Sequence, residues 1–381
     1  MVFYVRQGNI PELRHIYDDR KNILKEELLG EDSFEGPYSL LYHRGEPTRI
    51  REIEIVKKDH VEGIESSQHR LFRTRRLTGT GDIITNRKIL LGNDSVLITF
   101  SRIDRENDHF FRHGLRNMLF YVHRGGATFE SIFGSITIKE GDYLLVPKGT
   151  TFRFKNPRGL ALLAIESKDP IEIPGRYLNR YGQLKEGAPY HNRNITYPIL
   201  DHTEKGKEEK GYAVYVDFDD HFVVELRDES PLDVAGWDGY NYPFTINVRH
   251  LMPMVGKVHL PPPFHETFSS KRFMVASFLP RPFDFHERSI PISYYHSNVD
   301  TDEFLFYSSG NFMSRRGIDE GSITLHVRGM IHGPQPGAVE ESIGKQSTDE
   351  IGIMVETYDR LKVFPDGAGI EDEGYFRSWY K

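Results

Sequence analysis

The stretch that decides the fold begins with His296-Ser-Asn-Val-Asp-Thr-Asp-Glu303, and Gly310 follows after six further residues. A second stretch runs from Gly321 to His332. Short glycine-bounded segments predict strands joined by hairpins, because glycine adopts the backbone angles that tight turns require. In a closed barrel, alternate side chains of neighbouring strands point inward. We therefore expect His296, Glu303 and His332 to meet inside a β barrel and to bind a metal ion.

This spacing is similar to the two-part signature of metal-binding cupin barrels, a jelly-roll fold. In the full signature a further histidine and a proline stand where this chain has Asn298 and Val327. The two histidines and one carboxylate that remain are the ligand set of non-heme Fe(II) oxygenases, which leaves coordination positions open for substrate and dioxygen. The alternative is a barrel that keeps the spacing as scaffold and binds no metal.

Composition narrows the class of protein. With 381 residues the chain is large for one compact unit, so two domains or a two-part fold are expected. A net charge of -7 gives no basic surface for nucleic acid, and the absence of cysteine excludes thiolate metal sites and cysteine nucleophiles. The start of the chain lacks the apolar core of a signal peptide, and the apolar runs are too short to span a bilayer. We expect a cytoplasmic protein without a membrane partner.

Most segments with a clear pattern are strands. They are short, rich in β-branched or aromatic residues and bounded by turn residues, which predicts a mainly all-β protein. The clearest strand predictions are 96–100, 118–122, 212–216 and 272–278. Helix signals are few, and the strongest ones cover 11–18 and 23–29 near the start.

The signature recurs upstream in a form without ligands. Residues 141–152 repeat its second part, but Phe152 stands where the metal histidine would be. An alignment of the strands that precede it places Asn117 at the position of Glu303 and Phe110 at the position of the first histidine. The alternative is that residues 141–152 form an ordinary glycine-bounded hairpin.

The repeat predicts a bicupin with two jelly-roll halves. Residues 1–240 are predicted to form an N-terminal cupin-like domain without metal ligands, and residues 241–381 a C-terminal catalytic cupin domain. The N-terminal half would then be scaffold, either covering the other barrel or building an oligomer.

Beyond the barrel signature, the chain resembles the homogentisate 1,2-dioxygenase family over essentially its full length. The segments that carry the resemblance are 26–30, 38–43, 233–239, 294–304, 325–326 and 332–334. The resemblance implies a mononuclear Fe(II) enzyme that opens an aromatic ring with dioxygen and converts homogentisate to maleylacetoacetate. It also implies a homo-oligomer, either a trimer or a hexamer.

Carried over by position, the resemblance makes His296, Glu303 and His332 the iron ligands. The segment between the first histidine and the glutamate is one residue longer than in the better-known members, which leaves Asp302 as a rival to Glu303. The spacing from Glu303 to Gly310 favours the glutamate.

Further active-site roles are implied for residues around the ligands. His259 and His326 are expected to be catalytic, with His265 as the fallback for His259. His326 and Asn298 are also expected to steer the substrate, and Tyr294 to line its pocket.

One position departs from the family. Phe312 stands where the resemblance implies a substrate-contacting tyrosine, so a phenol hydroxyl is missing from the substrate site. Three alternatives stay open: a dioxygenase of the same scaffold for another hydroxylated aromatic acid such as gentisate, a non-enzymatic bicupin that binds a small molecule, and a zinc-dependent cupin isomerase.

Overall fold

The computed structural model of the protein describes residues 3–201 and 211–380. Strands dominate these two ranges and form a 14-stranded, a 6-stranded, a 4-stranded and a 2-stranded sheet. The predicted all-β class is therefore confirmed. Among the helices in these ranges, none combines the length and the apolarity needed to cross a membrane.

The strands in the described ranges are β1 (Val5–Gly8), β2 (Lys25–Gly30), β3 (Tyr38–His43), β4 (Glu52–Lys57), β5 (Ile64–Glu65), β6 (Arg70–Arg73), β7 (Arg87–Gly92), β8 (Val96–Ile103), β9 (Phe110–His113), β10 (Asn117–Ser131), β11 (Gly134–Lys139), β12 (Asp142–Val146), β13 (Phe152–Ser167), β14 (Ile195–Thr196), β15 (Tyr212–Asp217), β16 (His221–Arg227), β17 (Val234–Gly239), β18 (Phe244–Asn247), β19 (Glu266–Ser269), β20 (Phe273–Phe278), β21 (Arg281–Pro282), β22 (Asp302–Ser309), β23 (Ser322–His326), β24 (Ser347–Thr348), β25 (Ile351–Thr357) and β26 (Lys362–Val363). The α-helices are α1 (Ala338–Ser342) and α2 (Pro365–Ala368), and the short 3-10 helices are Thr74–Arg76, Gly175–Tyr177, Asn192–Asn194, Val248–His250, Pro262–His265 and Tyr375–Trp379.

The two largest sheets, with 14 and 6 strands, contain the two regions that the sequence predicted to be cupin-like. The 14-stranded sheet centres on the long antiparallel pair β10 and β13, and β-bulges between Val122 and Thr128 bend this pair. Bulges increase local twist, which lets the sheet curl into a barrel. The 6-stranded sheet has the order β19-β20-β25-β22-β23-β6 and contains the residues of the metal-binding signature on β22 and β23.

Each half of the chain contributes a strand to the sheet of the other half. Strand β6 comes from the N-terminal half but pairs with β23 at the edge of the 6-stranded sheet. Strand β26 comes from the C-terminal half but lies between β7 and β5 in the 14-stranded sheet. Strand β18 begins after residue 240 and pairs with β12. The division into two domains at residue 240 stays a prediction. We propose that it is approximate, because strands from each side of it pair with strands of the other side.

The hydrophobic core consists of two clusters, and the two faces of β10 contribute to different ones. Leu119 and Tyr121 belong to the larger cluster, which packs the two sheets together; the ring of Tyr121 lies 6.2 Å from that of Phe306 on β22. Met118 and Phe120 belong to a separate cluster enclosed by the curled 14-stranded sheet. Alternation along one strand therefore separates the sandwich face from the barrel interior.

The four strand predictions are confirmed by β8, β10, β15 and β20. The two helix predictions are wrong. Residues 11–18 form turns and irregular backbone, and Lys25–Gly30 is strand β2, paired along its whole length with β3. Glutamate and leucine favour helices locally, but cross-strand pairing overrides so weak a preference.

The alignment of the two halves is off by one residue on β10. The side chain of Asn117 points away from the barrel interior, where its Nδ2 donates to Oε2 of Glu31 at 3.3 Å, and Met118 faces inward. On β9 the interior side chain is Phe111 and not Phe110. Because side chains alternate along a strand, a one-residue slip exchanges the two faces.

Candidate metal centre

His296, Glu303 and His332 come together as predicted. The two histidines lie opposite each other, and the backbone N–H of each donates to the carbonyl of the other at 2.9 Å. The Nε2 atoms of His296 and His332 lie 3.6 and 3.7 Å from Oε2 of Glu303. All three ligand atoms lie within 4.8 Å of one another. Ligands about 2 Å from a shared ion would have separations of this order.

The Nδ1 atoms of His296 and His332 determine which nitrogen of each ring can bind a metal. Nδ1 of His332 lies 3.0 Å from the carbonyl oxygen of Met330, and Nδ1 of His296 lies 3.4 Å from that of Tyr294. A carbonyl only accepts, so each Nδ1 carries the proton and each Nε2 presents a lone pair. Both Nε2 atoms are buried and have no hydrogen-bond partner among the described residues. Orphaned acceptors that converge on a carboxylate fit a divalent metal.

His326 stands behind this centre. It faces Glu303 across the β22 and β23 pair, and its Nδ1 lies 2.6 Å from Oε1 of that carboxylate. It is completely buried and is not on the wall of the adjacent cavity, and the predicted contact between His326 and a substrate stays a prediction. Its position fixes the orientation of Glu303, as an outer partner does for a metal ligand.

The electrostatics of the centre favour an ionised carboxylate. Burial acts to raise the pKa of Glu303, but the surrounding imidazoles of His296, His326 and His332 outweigh it and hold this pKa well below its ordinary value. Burial lowers the pKa of His326 to about 3, whereas the interaction with the Glu303 carboxylate raises the pKa of His296. A divalent cation binds the deprotonated form of each ligand, so metal binding would compete with protonation of His296.

The rival carboxylate points elsewhere. Asp302 precedes Glu303 on β22, so its side chain lies on the opposite face. Its Oδ1 accepts from the backbone N–H of Arg328 at 2.9 Å, and its Oδ2 accepts from that of Leu361 at 2.7 Å. The structure therefore brings Glu303 to the centre and not Asp302.

A cavity of about 340 Å³ opens beside the centre, inside the barrel formed by the 6-stranded sheet. The predicted Tyr294, Asn298 and Phe312 lie on its wall, together with His259. His265 is buried outside the cavity, with its ring 5.5 Å from that of Phe278. Of the two candidate acid or base histidines, the structure thus places His259 beside the space for a substrate.

Phe312 makes its part of the wall apolar. It is buried, and its ring packs edge-on against Tyr307 at 4.8 Å. Tyr307 also lies on this wall, and its hydroxyl is 3.1 Å from Oγ1 of Thr324. The phenol of Tyr307 is therefore already engaged within the protein.

Two residues near the centre, Glu356 and His69, were not predicted from the sequence. Glu356 on β25 lies opposite Glu303, and its Oε1 accepts from Nδ2 of Asn298 at 3.1 Å. Burial and the charge of Glu303 raise the pKa of Glu356 to about 7. His69 approaches from the N-terminal half, and its ring lies 5.2 Å from that of His326. Alternate residues of β25, Gly352, Met354 and Glu356, face the cavity, and this pattern could have indicated Glu356. No local sequence pattern indicates the position of His69.

A second group of possible ligands is an ion-pair network. His113, Asp217 and Asp219 are close enough to hold an ion. However, Nη1 of Arg87 lies 2.7 Å from Oδ2 of Asp217, and Nε of Arg116 lies 2.8 Å from Oδ1 of Asp219. Guanidinium groups therefore already neutralise both carboxylates.

Known proteins show the following similarities. The family model described as homogentisate 1,2-dioxygenase N-terminal matches residues 74–248. The "Putative dioxygenase SSO1533" of Saccharolobus solfataricus is 44% identical over 387 residues, covering 100% of both chains. The homogentisate 1,2-dioxygenase of Rhodopseudomonas palustris is 23% identical, covering 80% of this chain and 69% of its own. That of Bradyrhizobium diazoefficiens is 22% identical, covering 88% and 73%.

The similarities to solved structures are weaker. The Ylba protein of E. coli is 10% identical with a TM-score of 0.38, covering 77% of this chain and 92% of its own. A cupin 2 conserved barrel domain protein from Leptotrichia buccalis is 9% identical with a TM-score of 0.34, covering 78% and 100%.

Proposed function

We propose, on the premise that the chain belongs to the dioxygenase family of its Saccharolobus solfataricus relative, that it is an Fe(II)-dependent enzyme that cleaves the ring of homogentisate to maleylacetoacetate. In this reaction one carbon–carbon bond of the ring breaks and both atoms of dioxygen enter the product. The observation that carries the proposal is the convergence of two orphaned Nε2 atoms and one carboxylate at the edge of a cavity. A cavity of about 340 Å³ can hold a single-ring acid.

The protein's own groups would hold the metal and keep its environment fixed. His296, His332 and Glu303 would be the ligands, and the hydrogen bond from His326 would keep the carboxylate from rotating. Bound there, Fe(II) would supply open positions for a phenolic oxygen and dioxygen and would lower the pKa of the phenol. The ligand set is the one that this chemistry requires.

His259 would take or position a proton of a substrate hydroxyl. It lies on the cavity wall, and its ring packs edge-on against Tyr294 at 5.2 Å. Burial lowers the pKa of His259 from its ordinary value, so the imidazole is neutral and can accept a proton at neutral pH.

Anaerobic reconstitution with Fe(II), followed by oxygen-uptake measurements with homogentisate, tests the proposal. We expect one iron per chain by elemental analysis and one dioxygen consumed per homogentisate. The same protein loaded with Zn(II) is the control and should consume no oxygen. Iron-loaded protein that leaves homogentisate and dioxygen untouched would refute the assignment.

A second candidate is a dioxygenase for another hydroxylated aromatic acid, such as gentisate. The apolar surface of Phe312, where the resemblance implies a hydroxyl, favours it. Comparison of kcat/KM for homogentisate and gentisate decides between the two. A binding protein without activity would bind such acids and consume no oxygen, and a zinc isomerase would retain zinc when purified. The homo-oligomeric state and the cytoplasmic location stay predictions.

A further inference from the structure

Arg281 is a charged residue of the cavity wall that has no ion-pair partner among the described residues. It lies on β21, just after β20, and its half-buried side chain lines the same cavity as His259. Its Nη1 donates to the carbonyl of Leu279 at 3.1 Å. Within residues 3–201 and 211–380 no carboxylate lies at ion-pair distance from its guanidinium, which leaves most of its N–H donors for another acceptor.

The other arginine of the cavity wall is already engaged. Arg315 is buried, and its Nη1 donates to the carbonyls of Gly333 and Ser314, the latter at 3.1 Å. Its guanidinium also lies over the ring of Trp379, 5.7 Å from the centroid. Arg315 therefore supports the wall next to the metal centre, and Arg281 is the guanidinium that can receive a ligand.

Strand β25 runs along the cavity and connects the region near the metal centre with the region near Arg281. Glu356 pairs with Glu303 at the metal centre, and Gly352 pairs with Phe278, three residues before Arg281. Four strand residues correspond to about 13 Å. An aromatic ring that reaches the metal through a hydroxyl can thus extend a substituent towards the guanidinium.

The charge of Arg281 indicates which substituent this would be. A guanidinium binds a carboxylate through two parallel hydrogen bonds. The acidic residue of the wall whose charge acts most on Arg281 is Glu350, which accepts from the backbone N–H of Met313 at 2.6 Å and is held in place by it. Burial lowers the pKa of Arg281, and the charges of Glu350 and Asp284 only partly oppose this. An anionic ligand would remove the remaining cost of burying the cation.

We propose that Arg281 binds the carboxylate of the substrate and thereby makes the enzyme selective for aromatic acids over neutral phenols. This inference rests on the proposed function, because it places the substrate in the same cavity. Arg281 would be a binding residue, and the ring would be orientated by its two ends, the hydroxyl at the metal and the carboxylate at the guanidinium.

The first test is turnover by the iron-loaded protein with homogentisate and with its neutral methyl ester. For Arg281→Met we expect kcat/KM for homogentisate to fall roughly 10- to 100-fold, with the ester changed less than about 2-fold. Arg281→Lys keeps the charge without the planar fork and should lose less. Arg272→Met removes an exposed arginine outside the cavity and is the matched control. An equal loss for acid and ester, or no loss for either, would overturn the proposal.

The second test measures binding without turnover. Anaerobic calorimetry with iron-loaded protein compares 4-hydroxyphenylacetate with its neutral amide. We expect wild type to prefer the acid and Arg281→Met to lose this preference while its iron content stays unchanged. If wild type consumes no oxygen yet shows this preference, the proposed function fails and the role of Arg281 stands; if oxygen uptake is normal and the preference is absent, the reverse holds.

Discussion

The two barrels of the chain differ in what fills them. Inside the 14-stranded sheet, phenylalanine rings contact one another, with Phe129 and Phe152 at 5.0 Å and Phe120 and Phe154 at 5.8 Å. Inside the 6-stranded sheet, the inward residues of β22 and β25 surround a cavity of about 340 Å³. One architecture thus gives a packed core or a reaction chamber, depending on the volume and polarity of its inward side chains.

The same comparison bears on the ligands predicted to be missing from the N-terminal half. Phe152, which stands where a metal histidine would be, is a completely buried ring that contacts other phenylalanines. A lone imidazole among those rings would be buried without partners, which costs free energy. The C-terminal centre avoids this cost because Met330, Tyr294 and His326 supply partners for its ligands. A metal site therefore needs its supporting hydrogen bonds as well as its ligands.

The largest expected effect is loss of the centre itself. Glu303→Ala should abolish iron retention and lower turnover by more than about 1000-fold, because two neutral imidazoles alone bind Fe(II) weakly. Elemental analysis and oxygen uptake measure both. Asp302→Asn on the opposite face of β22 is the control and should keep its iron. Full iron content in Glu303→Ala would exclude Glu303 as a ligand.

A second change separates the chemistry of the cavity from its metal. His259→Ala should lower kcat by about 100- to 10,000-fold with iron still bound, because a general base is lost. His250→Ala changes an exposed histidine and should leave kcat as it is. Loss of iron from His259→Ala would instead assign this residue to the ligand set.

The packed barrel should respond in stability alone. Phe152→Ala removes a completely buried ring and should lower the free energy of unfolding by about 3–5 kcal/mol, measured by denaturant titration. Its iron content should equal that of wild type. Phe34→Ala, at a side chain that is 77% exposed, should change stability little. A Phe152→Ala protein that loses iron but not stability would contradict the division of roles.

The convergence of His296, Glu303 and His332 was predictable from the barrel signature. Glu303 lies seven positions after His296, and alternation places Glu303 inward and Asp302 outward. The contact between His326 and Glu303 was not predictable from that spacing, since it depends on which residue of β22 lies opposite. Nor was the position of Arg281, whose neighbours across the cavity come from distant strands.

His326 allows a finer test of the supporting hydrogen bonds. His326→Ala should weaken Fe(II) binding by about 10- to 100-fold, since Glu303 loses the donor that orientates it. Titration with Fe(II) under anaerobic conditions measures the affinity, and excess Fe(II) should restore much of the turnover. Unchanged iron affinity with a raised KM would support the original prediction that His326 contacts the substrate.

The smallest expected effect is a pH dependence of the stability of the fold, caused by His43 in the N-terminal half. Burial acts to lower the pKa of His43, but hydrogen bonds to Asp233 and Glu27 outweigh it and raise this pKa from 6.5 to about 9. The charged His43 therefore stabilises the fold fully below pH 6.5, and this stabilisation is lost as the pH rises through 9.

Between pH 6.5 and about pH 8 the free energy of unfolding should fall by about 1–2 kcal/mol. Denaturant titration at both pH values measures it. His43→Gln should be less stable at pH 6.5 and should show a smaller fall. An equal fall in both proteins would exclude His43 as the source.

The exchange of strands β6 and β26 has a consequence for how the molecule melts. Neither sheet is complete when the chain is cut at the middle, since each would lack a strand that the other segment supplies. Local unfolding of one barrel removes a hydrogen-bonded neighbour from the other, so the two should denature in one cooperative transition. If the protein binds iron as proposed, heat or urea that loosens the apolar barrel should release the metal at the same midpoint.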